Sequence, residues 1–391
     1  MSSLMNEPLS RRSFLKLAAG TAAGAALFSL PTWTQPSKAA MASDAYKRHI
    51  APIAYADLPA DATMAAKSSD LIKHAYQFVL SSVDTIEDTS LRTMVQKLIK
   101  DPTPTFMQEY TSSISVRTLY AKLSAQGLLD TSKIDAEHLL PPFQGTSPQP
   151  FLTAPGSGYM SHHPYPGGLC THVASNLHIT RYICQTYEEV FGYSVHKDVA
   201  IAAQALHDIE KPFVFQWQKD GASLKEYPIA GQGGHHVISL AESIYRHVPA
   251  DVVVAQACAH GAPSNKKGEE DVVAWLHAAA IIAGVDPVQY GLLRSDGDGL
   301  PSPHHQEGYL VHLGDHDFVL TAPAAVKTIA VLKKIGAQDY GMSQSDLNGA
   351  KYNAFRNYVG AQYGFMYINY LEAEPNGYEL IRDAVHTLIL K

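Results

Sequence analysis

The chain is poor in several things, and each shortage removes a class of protein. It has three cysteines, Cys170, Cys184 and Cys258, in 391 residues, too few and too oddly numbered for a disulfide framework. Only 17% of residues are charged, and 37 acidic side chains outnumber 30 basic ones for a net charge of −7. That balance argues against nucleic acid as a partner. No apolar run is long and strong enough for a stable membrane span. There is no phosphate-binding glycine loop, no dinucleotide glycine fingerprint and no cysteine pair at zinc-finger spacing. Ser175 and Cys170 lack the neighbouring base that nucleophilic catalysis needs. Strand-like alternation is scarce, and neither repeats nor low-complexity blocks occur. With 46% hydrophobic residues the composition is that of an ordinary globular protein. What the chain does have is histidine: 19 in all, 15 of them between His162 and His316.

The N-terminus reads as an address. Ser10-Arg11-Arg12-Ser13-Phe14-Leu15-Lys16 has the pattern of a twin-arginine export signal. An Ala/Gly-rich apolar run follows from Leu17 to Leu30, and Ala40-Met41-Ala42 offers small residues for cleavage. Residues 1–42 are therefore expected to be a signal peptide, with the twin-arginine translocase as partner during export and a periplasmic or secreted mature protein. Removing them costs Arg11, Arg12, Lys16 and Lys38 against Glu7, so the mature chain is more acidic still.

Apolar residues at 3–4 spacing predict helices over Ser69–Val83, Ser90–Ile99 and Thr111–Leu128. A proline-rich stretch from Pro141 to Pro155 then marks a boundary. Five further helices are expected at about Leu169–Tyr187, Lys197–Lys211, His235–Arg246, Asp251–His260 and Glu269–Ala283, most of them punctuated by Gly or Pro. Phe213–Trp217 and Gly308–Leu313 are the only strand candidates. After Thr321 two or three more helices carry a tyrosine-rich face from Tyr340 to Tyr378, read as packing. The expected fold class is all-α, divided into a signal peptide (1–42), an N-terminal helical extension (43–150), a histidine-rich domain (151–320) and a C-terminal helical extension (321–391).

His207-Asp208 is the sharpest feature. It stands in a segment dominated by Ala, Ile and Leu, where burying an imidazole beside a carboxylate is costly without a charge partner. A divalent cation removes that cost, and this donor pair suits first-row transition ions. Lys211 lies four residues on, placed to meet an anionic substrate, and Gln204 lies three residues before as an orienting group. Around the pair, His172 follows Gly167-Gly168 by one helical turn, His235-His236 follow Gly233-Gly234, His260 precedes Gly261, and Asp286 ends the fifth helix. One of His235 and His236 is expected as a ligand, with His235 preferred. Asp286 also reads as a helix cap before Pro287, and Asp315 is the reserve for the last ligand. His304-His305 read as exposed surface and Lys266-Lys267 as a solvated turn.

In that order, His172, His207-Asp208, His235, His260 and Asp286 resemble the ligand set of the HD-domain superfamily of metal-dependent phosphohydrolases. The run from His163 to His172, with Tyr165-Pro166-Gly167-Gly168-Leu169, resembles the opening helix of several members. His207-Asp208-Ile209-Glu210-Lys211 resembles the central motif, with Glu210 where the family often has glycine, a departure that bears on pocket shape. The resemblance covers roughly residues 161–287. It implies an HD-like helical bundle with added N- and C-terminal helices, holding two divalent ions (manganese, iron or magnesium). Asp208 would bridge them, with His172, His207 and Asp286 on one ion and His235 and His260 on the other. Metal-activated water would then attack a phosphate mono- or diester of a small molecule, with Lys211 leaning outward to the phosphate. Two other classes share these ligands: a di-iron oxygenase resembling inositol oxygenase, and a non-enzymatic binding module that keeps metals for stability. Twin-arginine substrates resemble one another in crossing the membrane folded, a route that suits a protein loading its metal in the cytoplasm.

Overall fold

A computed structural model describes residues 49–301 and 306–391. The export motif with its cleavage position, and His304-His305, lie outside the described residues. The chain begins with helices whose starts are written in their caps. In α1 (Ala62–Ser68) Asp61 accepts from the Thr63 amide, in α2 (Asp70–Val83) Ser69 accepts from Ile72, and in α3 (Thr89–Lys100) Asp88 accepts from Ser90 and Leu91. Each cap satisfies amides that the first helical turn leaves without partners. α4 (Ser113–Ala125) opens on a capping box between Ser112 and Ser115.

The central segment supplies α5 (Gly168–Phe191), α6 (Lys197–Leu206), the single turn α7 (Lys211–Val214), α8 (Gly234–Tyr245), α9 (Ala250–Ala257), α10 (Lys266–Ala283) and α11 (Pro287–Tyr290). α12 (Gln306–Gly314), α13 (Phe318–Asp339), α14 (Ala350–Tyr363), α15 (Phe365–Ala373) and α16 (Gly377–Leu388) follow. Strand among the described residues is confined to two-residue pairs. β1 (Ile53–Ala54) runs parallel to β4 (Ile389–Leu390), and β2 (Pro228–Ile229) antiparallel to β3 (Gln232–Gly233). The fold is all-α. No described helix is long and apolar enough to cross a membrane.

Three expectations give way here. Gly308–Leu313 lies inside α12, and Phe213–Trp217 divides between α7 and a loop with one isolated bridge, Trp217 to Ser223. Both are short apolar runs, in which periodicity does not separate a buried helix from a strand. The helix expected to reach Lys211 stops at Leu206. Pro212 explains the break: it has no N–H to give the Asp208 carbonyl and would clash with it. The chain instead tightens into i→i+3 bonds, Ile209 N to Leu206 O at 3.1 Å and Lys211 N to Asp208 O at 3.0 Å. Beyond Thr321 three helices begin, α14, α15 and α16, within the number expected, and Tyr352, Tyr358 and Tyr363 are buried among them.

α6 packs between α5 and α9, α12 lies across all three, and α8 sits between α9 and α10. α2 covers the other side of α5, and α14 packs on α1. Residues 49–391 form one compact unit, in which the β1–β4 pair ties the start of the described chain to its end.

Candidate metal centre

Where α6 breaks, the turn delivers His207 and Asp208 inward, both fully buried. His207 Nδ1 donates to the Gln204 carbonyl at 2.7 Å, which leaves Nε2 to face the cluster. That nitrogen lies 3.2 Å from His172 Nε2, 3.0 Å from Asp208 Oδ2 and 3.4 Å from Asp315 Oδ1. Asp208 is the hub. Its Oδ2 is 3.0 Å from His172 Nε2, while Oδ1 is 3.4 Å from His235 Nε2 and 3.8 Å from His260 Nε2. Two donor sets result, His172–His207–Asp315 and Asp208–His235–His260, each with its ligand atoms within 4.8 Å of one another.

The adjacent histidines part company. His235 Nδ1 donates to Glu226 Oε1, and its Nε2 faces Asp208 with no hydrogen-bond partner. A carboxylate behind an imidazole fixes its tautomer and orientation for a metal. His236 points the other way. Its Nε2 meets the Ala257 carbonyl at 3.1 Å and its ring stacks on His260 at 4.2 Å. Burial, then the nearby His235, pushes its pKa down to about 3, as befits a packed neutral ring.

Three sequence expectations need correction or adjustment. Asp286 is exposed and spends its carboxylate capping α11, with Oδ1 accepting from Val288 N at 2.9 Å and Gln289 N at 2.8 Å. Pro287 at the first helical position completes that arrangement. The buried carboxylate in the cluster is Asp315, which also accepts from Asn176 Nδ2 at 2.7 Å and stands 3.5 Å from His260 Nε2. Lys211 does not lean outward: it is fully buried, and its ammonium contacts Asp208 Oδ2 and the Gly156 carbonyl. Glu210 turns from the cluster toward the charge of Glu242. Burial, then that neighbour, raises its pKa well above the usual carboxylate range, so its carboxyl bears on the core beside α8.

Several contributors escape a reading of the sequence. Asn176 and Thr180 follow His172 at four-residue intervals, forming a buried polar stripe on α5. Thr180 Oγ1 donates to Gln204 Oε1 at 2.8 Å, on the residue whose carbonyl orients His207. Gly314 permits this approach: a Cβ there would lie 2.0 Å from Thr180 Oγ1. Polar residues at helical spacing were the available signal for the stripe. Glu226, in a loop, offered none. His162, His163 and Asp317 also gather against His172.

The electrostatics are those of buried carboxylates that draw protons onto the imidazoles beside them. Burial lowers the His207 pKa, but Asp208 and Asp315 outweigh it and lift the imidazole to about 9. For His172, burial and Lys211 press downward, and contacts with Asp208, Asp315 and Asp317 win, raising it well above normal. Burial opposes ionisation of Asp208, yet His207 and Lys211 hold it well below the carboxylate range. His260 is driven well below its usual value by burial, then by His236. Asp208 Oδ1 and His235 Nε2 are buried without a hydrogen-bond partner, while Oδ2 is met by the Lys211 ammonium. Imidazole and carboxylate donors converging with such atoms fit divalent cations. A cleft of about 1140 Å³, lined by His178, Arg181, His196 and Lys197 among others, contains none of the cluster residues.

Comparison with known proteins adds two findings. Residues 8–28 match the family described as the TAT (twin-arginine translocation) pathway signal sequence. Over 100 residues the chain is 35% identical to the dihydroneopterin 2',3'-cyclic phosphate phosphodiesterase of Methanocaldococcus jannaschii, covering 26% of this chain and 39% of that protein. The chain thus aligns with about two fifths of the length of the curated relative it matches. No solved structure matches.

Proposed function

We propose that this protein is an exported, metal-dependent phosphohydrolase that opens a phosphate mono- or diester of a small molecule. The observation that carries the reading is the buried cluster of His172, His207, Asp208, His235, His260 and Asp315, whose donor atoms converge while Asp208 Oδ1 and His235 Nε2 make no hydrogen bond. The phosphodiesterase relative supports the reaction class, and the signal at residues 8–28 supports a periplasmic or secreted location. The ligand order supports an HD-like arrangement, with Asp315 in the place first given to Asp286.

His172, His207 and Asp315 would hold one ion and His235 and His260 another, with Asp208 between them. Bound there, divalent ions supply a lowered pKa for water and a Lewis-acid partner for phosphoryl oxygens. The chain's own residues prepare that chemistry. Gln204 and Glu226 fix the ring orientations of His207 and His235. Asn176 holds Asp315, and Lys211 supplies a countercharge to Asp208 Oδ2, the oxygen that also faces His172 and His207. Lys211 is thereby a positioning residue for the hub carboxylate. Burial of the cluster excludes bulk water, so these charges act at low dielectric.

The test is turnover of chromogenic phosphomonoesters and phosphodiesters by the mature protein, before and after chelation and after return of manganese, iron or magnesium. The reading predicts activity lost on chelation and restored by metal. Activity indifferent to a chelator shown to have stripped the protein would sink it. Two coupled irons with oxygen-dependent turnover of a non-phosphorylated substrate would replace it with the oxygenase reading.

A further inference from the structure

A second group of donors faces His172 from the opposite side. The segment between Gly156 and Gly168 presents His162 and His163, whose ring centroids stand 4.7 and 5.6 Å from that of His172 and 5.9 Å from each other. The spacing matches the inner cluster, where His172 and His207 are 5.2 Å apart and His235 and His260 5.1 Å. Donor atoms of His162, His163 and His172 lie within 4.8 Å of one another. Asp317 closes this side, with Oδ2 3.3 Å from His163 Nε2 and Oδ1 3.5 Å from His172 Nδ1. His162 Nδ1 and Asp317 Oδ1 are buried and make no hydrogen bond, a standing cost unless something else engages them.

The backbone is forced to produce this grouping. His163 has a φ of 46°, a region that costs a residue with a Cβ and that persists only where the surroundings impose it. The Gly156 amide donates to the His163 carbonyl at 2.9 Å. Gly168 packs so closely that a Cβ on it would lie 1.9 Å from that carbonyl oxygen. From α14, buried Arg356 donates through Nη2 to the carbonyls of Tyr159 at 3.1 Å and Pro164 at 2.8 Å, bracketing the two histidines. Strain and clamping converge on the placement of two imidazoles beside a carboxylate.

We propose that His162, His163 and Asp317 bind a third divalent ion, separate from those of the inner cluster. His172 stays with the inner cluster through Nε2. Asp317 would face the ion with Oδ2, beside His163 Nε2, and with Oδ1, which makes no hydrogen bond although it lies 3.5 Å from His172 Nδ1. Two imidazoles and one carboxylate leave open coordination positions and suit a first-row transition ion such as iron, manganese or zinc. His162 and Asp317 are only partly buried, so the site is not sealed within the core. The site stands on its own residues. Only its service to a phosphate, as added positive charge beside the substrate, rests on the phosphohydrolase reading.

Crystals of the wild-type protein soaked in manganese, examined by anomalous scattering, test this without relying on a variant. A peak bounded by His162, His163 and Asp317, apart from those of the inner cluster, is expected. In solution, elemental analysis after manganese saturation and desalting should show His162→Asn losing one equivalent while keeping the inner ions. Inner peaks with none at His162 and His163, or equal manganese content in wild type and His162→Asn, overturns the third site and leaves the phosphohydrolase reading standing. An outer peak alone supports the site and overturns that reading; no peak at either place overturns both.

Discussion

His207 carries the clearest consequence at the scale of one residue. With its pKa lifted to about 9 by Asp208 and Asp315 against the pull of burial, it is protonated near neutrality when no ion is bound. A raised histidine adds stability that is complete below its unfolded value of about 6.5 and is lost as pH rises through the folded one. A metal ion must displace that proton. Calorimetric titration with manganese at pH 7, in two buffers of different ionisation enthalpy, should therefore show proton release, and affinity should climb from pH 6 toward pH 9. Binding without proton release, at constant affinity over that range, would contradict the assignment of His207 as a ligand. Residues of this kind are legible in sequence because an imidazole or carboxylate in an apolar helical run has a cost that needs a reason. Asp286 misleads because an aspartate before proline has the same spelling as a cap and as a ligand. Asp315 stays in reserve because the run before it reads as strand, which hides its place at a helix end.

At the scale of elements, the site depends on where helices stop. α6 ends at Leu206 because of Pro212, and the tight turn that follows aims His207 and Asp208 inward. A helix carried through to Lys211 would set it one turn beyond His207 on the same face; the tight turn instead brings its ammonium onto Asp208 Oδ2. α12 ends at Gly314, where Thr180 and Gln204 press so close that only glycine fits. Gly314→Ala should thus cost about 1–3 kcal/mol through overpacking and displace the Thr180–Gln204 support of His207. The expected readout is a lower thermal midpoint together with weaker metal binding. A variant equal to wild type in both would show that this close approach is not required. The helical nature of the chain and the rough extents of α2, α3, α5, α8 and α10 are plain from apolar spacing. The polar stripe on α5 becomes visible only once α5, α6 and α12 are packed together, because its partners Gln204 and Asp315 lie far along the chain, whereas Glu226 sits near His235 in sequence but in a loop with no periodic pattern to mark it.

For the molecule as a whole, an export signal at residues 8–28 precedes a folded unit with a buried histidine–carboxylate cluster. A cluster that closed could be loaded before export and would be hard to assemble afterwards, which connects the address to the site. The chain carries a net charge of −7, and in the described residues Lys211 is the one lysine held against the hub carboxylate. The central claim is that the buried histidines and carboxylates exist to hold divalent ions, with Asp315 and not Asp286 among the ligands. Its most direct test is elemental analysis of the purified wild type, Asp315→Ala and Asp286→Ala, each saturated with manganese and desalted. Expected are bound metal in the wild type, a loss of at least one ion in Asp315→Ala, and full content in Asp286→Ala, which forfeits only about 1 kcal/mol of capping stability. A wild type that retains no metal, or an Asp286→Ala variant that loses it while Asp315→Ala does not, would contradict the account.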